Sequence, residues 1–216
     1  CLSRGLGDVY KRQGLGNLRL IGNGTLTLQN ESRSFGDTII DAGVLRVNTG
    51  GNNSAGRIYT VLPAGSFPTI SINRFGVLYL ERNINTTSNG VGDSVTIRLN
   101  SAAGTRGDLV PGSNFASTLP LGLFMRNTAG GGGTRTEDVG NVFFDSGTNY
   151  LTMWVAGNTP QQFRSTSFFR NNFSTGNVRG RSLGSTSGTL NASRWQVTGT
   201  GPVSYTHLTL PTNREV

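Results

Sequence analysis

The chain has 216 residues and a formal net charge of +8, yet only 14% of its residues are charged and 34% are hydrophobic. Disordered chains carry more charge and fewer β-branched and aromatic residues, so the composition argues against disorder. No apolar run approaches the roughly 20 residues of a membrane-spanning helix, and Gly recurs too often for sustained helices. The composition therefore predicts many short strands joined by Gly- and Asn-rich turns.

In chain order, the first and last segments differ from everything between them. The only cysteine and the only lysine, Cys1 and Lys11, lie in the first segment, and the only histidine, His207, lies in the last. One short DNA element, read on opposite strands, can encode both DVYKR and VSYTH. Residues 1–13 and 203–216 thus resemble translated sequencing-adapter DNA. We expect both to be adapter-derived and disordered, and we exclude them from the fold prediction.

The clearest strand pattern lies between Gly16 and Gly51. Three short runs there place apolar residues on alternate positions around Arg19, Thr27 and Arg46, so each strand has one buried and one wet face. Strands this short are not stable as an isolated sheet. Stacked as successive rungs, however, they bury one continuous apolar column.

Residues 36–47, GDTIIDAGVLRV, carry a more specific pattern. They resemble the autotransporter-associated β-strand repeat, also called the passenger-associated transport repeat, which reads roughly Gly-x-Thr-x-Ile-x-Ala-Gly-x-Leu-x-Val. Phe35 departs from the tyrosine that usually precedes the glycine. Looser matches follow at 75–104 and 168–185, so 14–202 is predicted to be one β-helix repeat region. The matching residues are Gly36, Thr38, Ile40, Ala42, Gly43, Leu45 and Val47.

The resemblance implies an all-β fold, namely a right-handed parallel β-helix (β-solenoid) fragment with Gly/Asn-rich turns. It also implies a non-enzymatic, structural or adhesive passenger-type region of a bacterial surface or secreted protein, located outside the cell or at the outer membrane. No catalytic residue, metal or cofactor is implied. The expected partners are neighbouring repeats of the same parent protein, with a polysaccharide or other surface ligand as a further candidate. No specific nucleic acid is expected, and membrane association is expected only through parts outside this sequence.

A carbohydrate-active β-helix enzyme is the first alternative, because such enzymes can work with carboxylates alone. It would need two or three carboxylates gathered from neighbouring rungs. Asp37 and Asp41 are interpreted as solvated turn residues, and Glu137 and Asp138 as part of a loop after the Gly130–Gly133 run. The candidate acids between residues 14 and 202 are Glu31, Asp37, Asp41, Glu81, Asp93, Asp108, Glu137, Asp138 and Asp145.

The second alternative is a module that binds polyanions or polysaccharides through the arginine- and aromatic-rich region 163–195. No acidic residue occurs between Asp145 and Pro202, and aromatic residues are interleaved with the arginines. Such a basic surface could hold a polyanion. The competing interpretation is that the aromatics fill the core while the arginines solvate the outer wall. The candidate contacts are Arg164, Arg170, Arg179, Arg181 and Arg194.

Overall fold

A computed structural model describes residues 13–14, 16–28, 31–34, 36–48, 57–59, 65–82, 89–104, 120–127, 134–155, 159–184 and 192–199. Apart from Gln13, the segments interpreted as adapter-derived lie outside these ranges. Every regular element in the described ranges is a strand. The strands are β1 Gln13–Gly14, β2 Leu18–Leu20, β3 Thr25–Leu28, β4 Glu31–Ser34, β5 Thr38–Asn48, β6 Arg57–Ile58, β7 Thr69–Arg82, β8 Thr96–Asn100, β9 Leu123–Asn127, β10 Arg135–Ser146, β11 Thr148–Val155, β12 Gln161–Arg170, β13 Thr175–Gly180 and β14 Ser193–Val197.

All pairings between these strands are parallel, and each strand pairs with segments one coil away along the chain. The chain therefore winds as a parallel β-helix, which confirms the predicted fold class. Each coil passes over three sides. The first side contains 18–20, 38–40, 69–72, 96–99, 142–144 and 167–170. The second side contains 25–28, 44–48, 77–82, 123–127, 148–155 and 175–180. The third side contains 13–14, 31–34, 57–58, 91, 135–139, 161–165 and 193–197.

The interior is built from columns of side chains that repeat at the same register position in successive coils. One column on the first side runs Leu18, Thr38, Ile70, Ile97, Val142 and Phe168. Ile70, Ile97 and Val142 have no exposed surface. Burying a side chain of this size stabilises a fold by about 1.5–3 kcal/mol, so the stacked columns hold the coils together.

Two glycines of the repeat pattern lie where the chain turns from one side to the next. Gly43 has φ +80° at the corner between the first and second sides, and a Cβ there would lie 2.2 Å from the Gly22 carbonyl oxygen. Gly36 lies at the corner between the third and first sides, where a Cβ would lie 2.7 Å from the carbonyl oxygen of Gly16. Coils can approach this closely only where side chains are absent.

The second side departs from the predicted pattern of one buried and one wet face. Its outward residues Tyr79 and Phe124 are as deeply buried as the interior ones, and their ring centroids are 4.9 Å apart. They form a second apolar cluster with Val44, Val77 and Leu121. On this side, therefore, part of the outward face is apolar and buried as well as the inward face.

Candidate functional site

The seven repeat residues occupy two kinds of position in the coil. Ile40, Leu45 and Val47 have no exposed surface and belong to the interior cluster. Thr38 is also fully buried, and its hydroxyl lies 2.5 Å from the Tyr59 hydroxyl, which in turn donates to the Gly36 carbonyl at 2.7 Å. The remaining three, Gly36, Ala42 and Gly43, lie at corners. All seven positions thus serve packing or turning of the chain.

Glu137 and Asp138 are adjacent but face opposite ways, and the interpretation that they lie in a loop was wrong. Both lie in β10, and their burial follows the alternation of inward and outward residues along that strand. Glu137 points inward with no exposed surface, and its carboxylate accepts backbone N–H bonds from Gly90 at 3.0 Å and Val91 at 2.7 Å. Asp138 points outward and pairs with Arg164, Oδ1 to Nε at 2.5 Å.

The other described carboxylates also have specific partners. Asp145 pairs with Arg98 at 2.7 Å, and Glu81 pairs with Arg46. Asp37 accepts the backbone N–H of Thr69 at 2.8 Å, and Asp93 accepts from the Asn89 side chain at 2.5 Å. Asp108 and the side chain of Glu31 lie outside the described residues. Each carboxylate whose position is described therefore makes a structural bond.

Asp41 belongs to a polar ladder at the corner between the first and second sides. Its carboxylate accepts from Arg19 Nε and from Asn73 Nδ2, both at 2.6 Å, and Asn100 Nδ2 donates to Asn73 Oδ1 at 3.0 Å. The hydrogen bond from Arg19, followed by that from Asn73, holds the pKa of Asp41 below its ordinary value. The ladder ties successive coils together and keeps this acid ionised.

The five candidate arginines lie on different parts of the coil. Arg164 and Arg194 both lie on the third side, whereas Arg170 ends the strand on the first side. Arg179 lies on the second side, where its guanidinium donates to the Pro120 carbonyl and to Thr152 Oγ1 and stacks 5.0 Å above the Tyr150 ring. Burial lowers the pKa of Arg179. Arg181 is exposed in the turn that follows. The structure brings Arg164 and Arg194 to one side and places the other three elsewhere.

The aromatic residues of the same region divide between interior and surface. Phe168 and Trp195 pack inside against Phe144, and Phe163 packs against Trp195, with ring centroids 5.0–6.1 Å apart. Phe169 instead points outward and stacks on Phe143 at 4.7 Å. These contacts make most of the aromatic set part of the core.

Phe173 is the exception, since it is 96% exposed. It lies at the corner between the first and second sides, which we call the Phe173 edge and define as residues 21–24, 41–43, 73–76, 100–104, 145–147 and 171–174. Ile21 and Phe75 are exposed on the same edge, at 70% and 62%. The strand pattern in the sequence does not indicate this edge. Its one local signal is the pair Arg74–Phe75, where two consecutive exposed residues interrupt the alternation of β7.

The described ranges contain no group of three or more His, Cys, Asp or Glu residues arranged to hold a metal ion. Among the same residues there is also no helix with the length and apolar character needed to cross a membrane. Comparison with protein-family models, with curated proteins and with solved structures finds no match to this chain.

Proposed function

We propose that the chain is a non-enzymatic, passenger-type region of a bacterial surface or secreted protein, in which the β-helix acts as a stalk or adhesive scaffold. The observation that carries this proposal is the placement of the repeat residues. Thr38, Ile40, Leu45 and Val47 face the interior, and the glycines lie at tight corners. A repeat whose every defining position builds the coil is typical of a scaffold that is extended by adding coils.

The state of the carboxylates supports a non-enzymatic role over a glycoside-cleaving one. A two-carboxylate mechanism needs an acid and a base or nucleophile facing one substrate cleft. Asp138 and Asp145 are instead held in ion pairs with arginines, and Glu137 is buried on backbone N–H groups. Structural bonding of this kind is what a scaffold requires of its charged residues.

Long-read sequencing of the locus in the source sample tests the proposal. We expect residues 1–13 and 203–216 to be absent from the genomic reading frame, with further repeats on both sides, an export signal upstream, and a barrel or anchor downstream. A genomic frame that retains both stretches and encodes no export signal would overturn the proposal. Cys1, Lys11 and His207 would then become candidate functional residues.

A further inference from the structure

The exposed large apolar side chains of the described residues are concentrated on one edge of the coil. Three of them, Ile21, Phe75 and Phe173, lie on the Phe173 edge, while Phe67 lies at the corner between the third and first sides and Val197 near the end of the third side. Scattered single apolar residues are ordinary on a protein surface. Three such residues along one edge of the coil are a more specific arrangement.

The spacing of the row follows from the coil. Ile21, Phe75 and Phe173 belong to the first, third and sixth coils, and parallel strands lie about 4.8 Å apart. The row therefore extends for about 24 Å along the convex corner between the first and second sides. Side chains that project from a convex edge cannot enclose a small ligand, but they can insert together into a flat partner.

The local backbone holds Phe173 outward. Asn172 and Phe173 both have positive φ, at 48° and 53°, which is unusual for a bulky residue. The turn is fixed by Ser174 Oγ, which donates to the Phe144 carbonyl at 2.6 Å, and by Asn172 Nδ2, which donates to the Asp145 carbonyl at 3.1 Å. A strained turn that presents an exposed phenylalanine is a reason to look for a binding role.

The charge around the row is positive. Arg19 and Arg98 pair with Asp41 and Asp145, the two carboxylates of the edge. The excess positive charge around the row is therefore that of Arg74 and Arg170, and Arg74 lies over the Phe75 ring at 5.2 Å. Single apolar anchors flanked by arginines differ from the contiguous, charge-depleted centre of a protein–protein interface. They match a lipid surface, where apolar side chains enter the boundary of the acyl chains and cations meet anionic headgroups. The charged residues are Arg19, Arg74, Arg98, Arg170, Asp41 and Asp145.

We propose that the Phe173 edge binds the surface of a lipid bilayer that carries anionic headgroups. Ile21, Phe75 and Phe173 insert at the interface, and Arg74 contacts headgroup phosphates. This departs from the sequence-based expectation that membrane association arises only through parts outside this sequence. The inference rests on the edge itself and does not depend on the proposed role as an exported scaffold.

Flotation of the full 216-residue chain with vesicles tests the proposal, with one quarter phosphatidylglycerol in phosphatidylcholine as the probe and pure phosphatidylcholine as the comparison. We expect stronger partitioning into the anionic vesicles, and a loss of about tenfold or more in the double variant Phe75→Ser, Phe173→Asn. Asn tolerates positive φ, so the turn is preserved. The matched control is Phe67→Ser, since Phe67 is 72% exposed on a different corner, and we expect it to stay within about twofold of the parent.

The charge contribution is tested in the same assay. Arg74→Gln is expected to weaken partitioning into anionic vesicles by about fivefold, whereas Arg181→Gln, exposed on another corner, leaves it unchanged. A second readout is independent of affinity: Phe173→Trp is expected to add a tryptophan signal that shifts to shorter wavelength on vesicle addition, while Phe67→Trp adds one that does not. No partitioning of the parent into anionic vesicles, or equal losses in the Phe67 and Phe75/Phe173 variants, would overturn the proposal.

Discussion

Gly43 illustrates how a single residue permits the coils to stack. Its φ of +80° is one that residues with a Cβ rarely adopt, and the carbonyl oxygens of Gly22 and Gly24 occupy the space that a Cβ would need. Two separate costs would therefore follow from any substitution, one from backbone strain and one from the clash with the preceding coil.

Gly65 provides a matched control for Gly43, because its φ is +81° but nothing lies within 4 Å of its Cβ position. We expect Gly65→Ala to lower the free energy of unfolding by about 1–2 kcal/mol, which is the strain alone. Gly43→Ala should cost clearly more, by about 2 kcal/mol or above in addition, since backbone must move to relieve the clash. Urea titrations of the two variants measure the difference. Equal losses of unfolding free energy in both variants would show that the close approach at Gly43 adds nothing to the cost of the substitution.

Tyr59 is the second residue whose role is specific enough to test. It is fully buried, and its hydroxyl links Thr38 and Gly36 of the preceding coil. Burial raises the pKa of Tyr59 to about 12, against an ordinary 10.0. A raised pKa in the folded state means that the neutral phenol stabilises the fold fully below pH 10, and that this stability is lost as pH rises from 10 towards 12.

We expect Tyr59→Phe to lower the free energy of unfolding at neutral pH by about 1–2 kcal/mol, because the Gly36 carbonyl and the Thr38 hydroxyl lose a partner. The same variant should show a shallower loss of stability between pH 10 and pH 12 than the parent. Denaturant titrations at neutral and alkaline pH report both effects. A variant as steeply destabilised by alkali as the parent would mean that Tyr59 ionisation is not responsible.

The positions of the turn glycines were predictable at the residue scale. Gly36 and Gly43 were recognised from the repeat pattern, and both lie at corners as the strand punctuation predicts. The link from Tyr59 to Thr38 was not predictable, since it joins residues 21 positions apart whose proximity depends on how many residues each coil contains. A local sequence pattern does not show how many residues each coil contains.

At the scale of the element, β10 shows how local composition can mislead where strand alternation does not. Glu137 and Asp138 were interpreted as part of a loop because they follow a glycine run, yet both lie in β10 and continue its inward–outward alternation. An inward carboxylate is tolerated here because two backbone N–H groups, those of Gly90 and Val91, already require an acceptor. Composition shows that a residue is charged, but it does not show which hydrogen-bond donors the fold places beside that residue.

Glu137 and Asp138 therefore form a matched pair for mutation. We expect Glu137→Ala to lower the free energy of unfolding by about 2–4 kcal/mol, because it leaves buried N–H groups without their acceptor. Asp138→Ala removes only a half-exposed ion pair with Arg164, so its cost should stay below about 1 kcal/mol. Thermal or urea unfolding of the two variants distinguishes them, and the reverse order of cost would contradict the inward placement of Glu137.

The burial of outward residues on the second side could not be predicted from the strand pattern either. Arg46 lies between Leu45 and Val47 as in a half-buried strand, whereas residues 77–80 are a continuous apolar run. The outward residues Val44, Val77 and Tyr79 are buried as well. Periodicity alone specifies which residues share a face. It does not specify whether a second apolar layer covers the outer face, because that depends on contacts between distant parts of the chain.

For the whole molecule, the central claim is that the chain forms coils stacked in a fixed parallel register. The fold class could be predicted because short alternating runs with glycine punctuation are stable only when stacked. The register could not be predicted, since the coils differ in length and the insertions between strands have no common period. Ile39, Ser71 and Arg98 nonetheless fall in one outward column on the first side.

The most direct test of this claim is disulfide cross-linking in that column, in a Cys1→Ser background. Ile39 and Ser71 are register partners in adjacent coils, about 4.8 Å apart, which lies within the range a disulfide can span. Ile39 and Arg98 are two coils apart, at about 10 Å, beyond that range. Mild oxidation should therefore cross-link the pair Ile39→Cys, Ser71→Cys and leave the pair Ile39→Cys, Arg98→Cys reduced. Cross-linking of the second pair as readily as the first, or of neither, would contradict the stacked register.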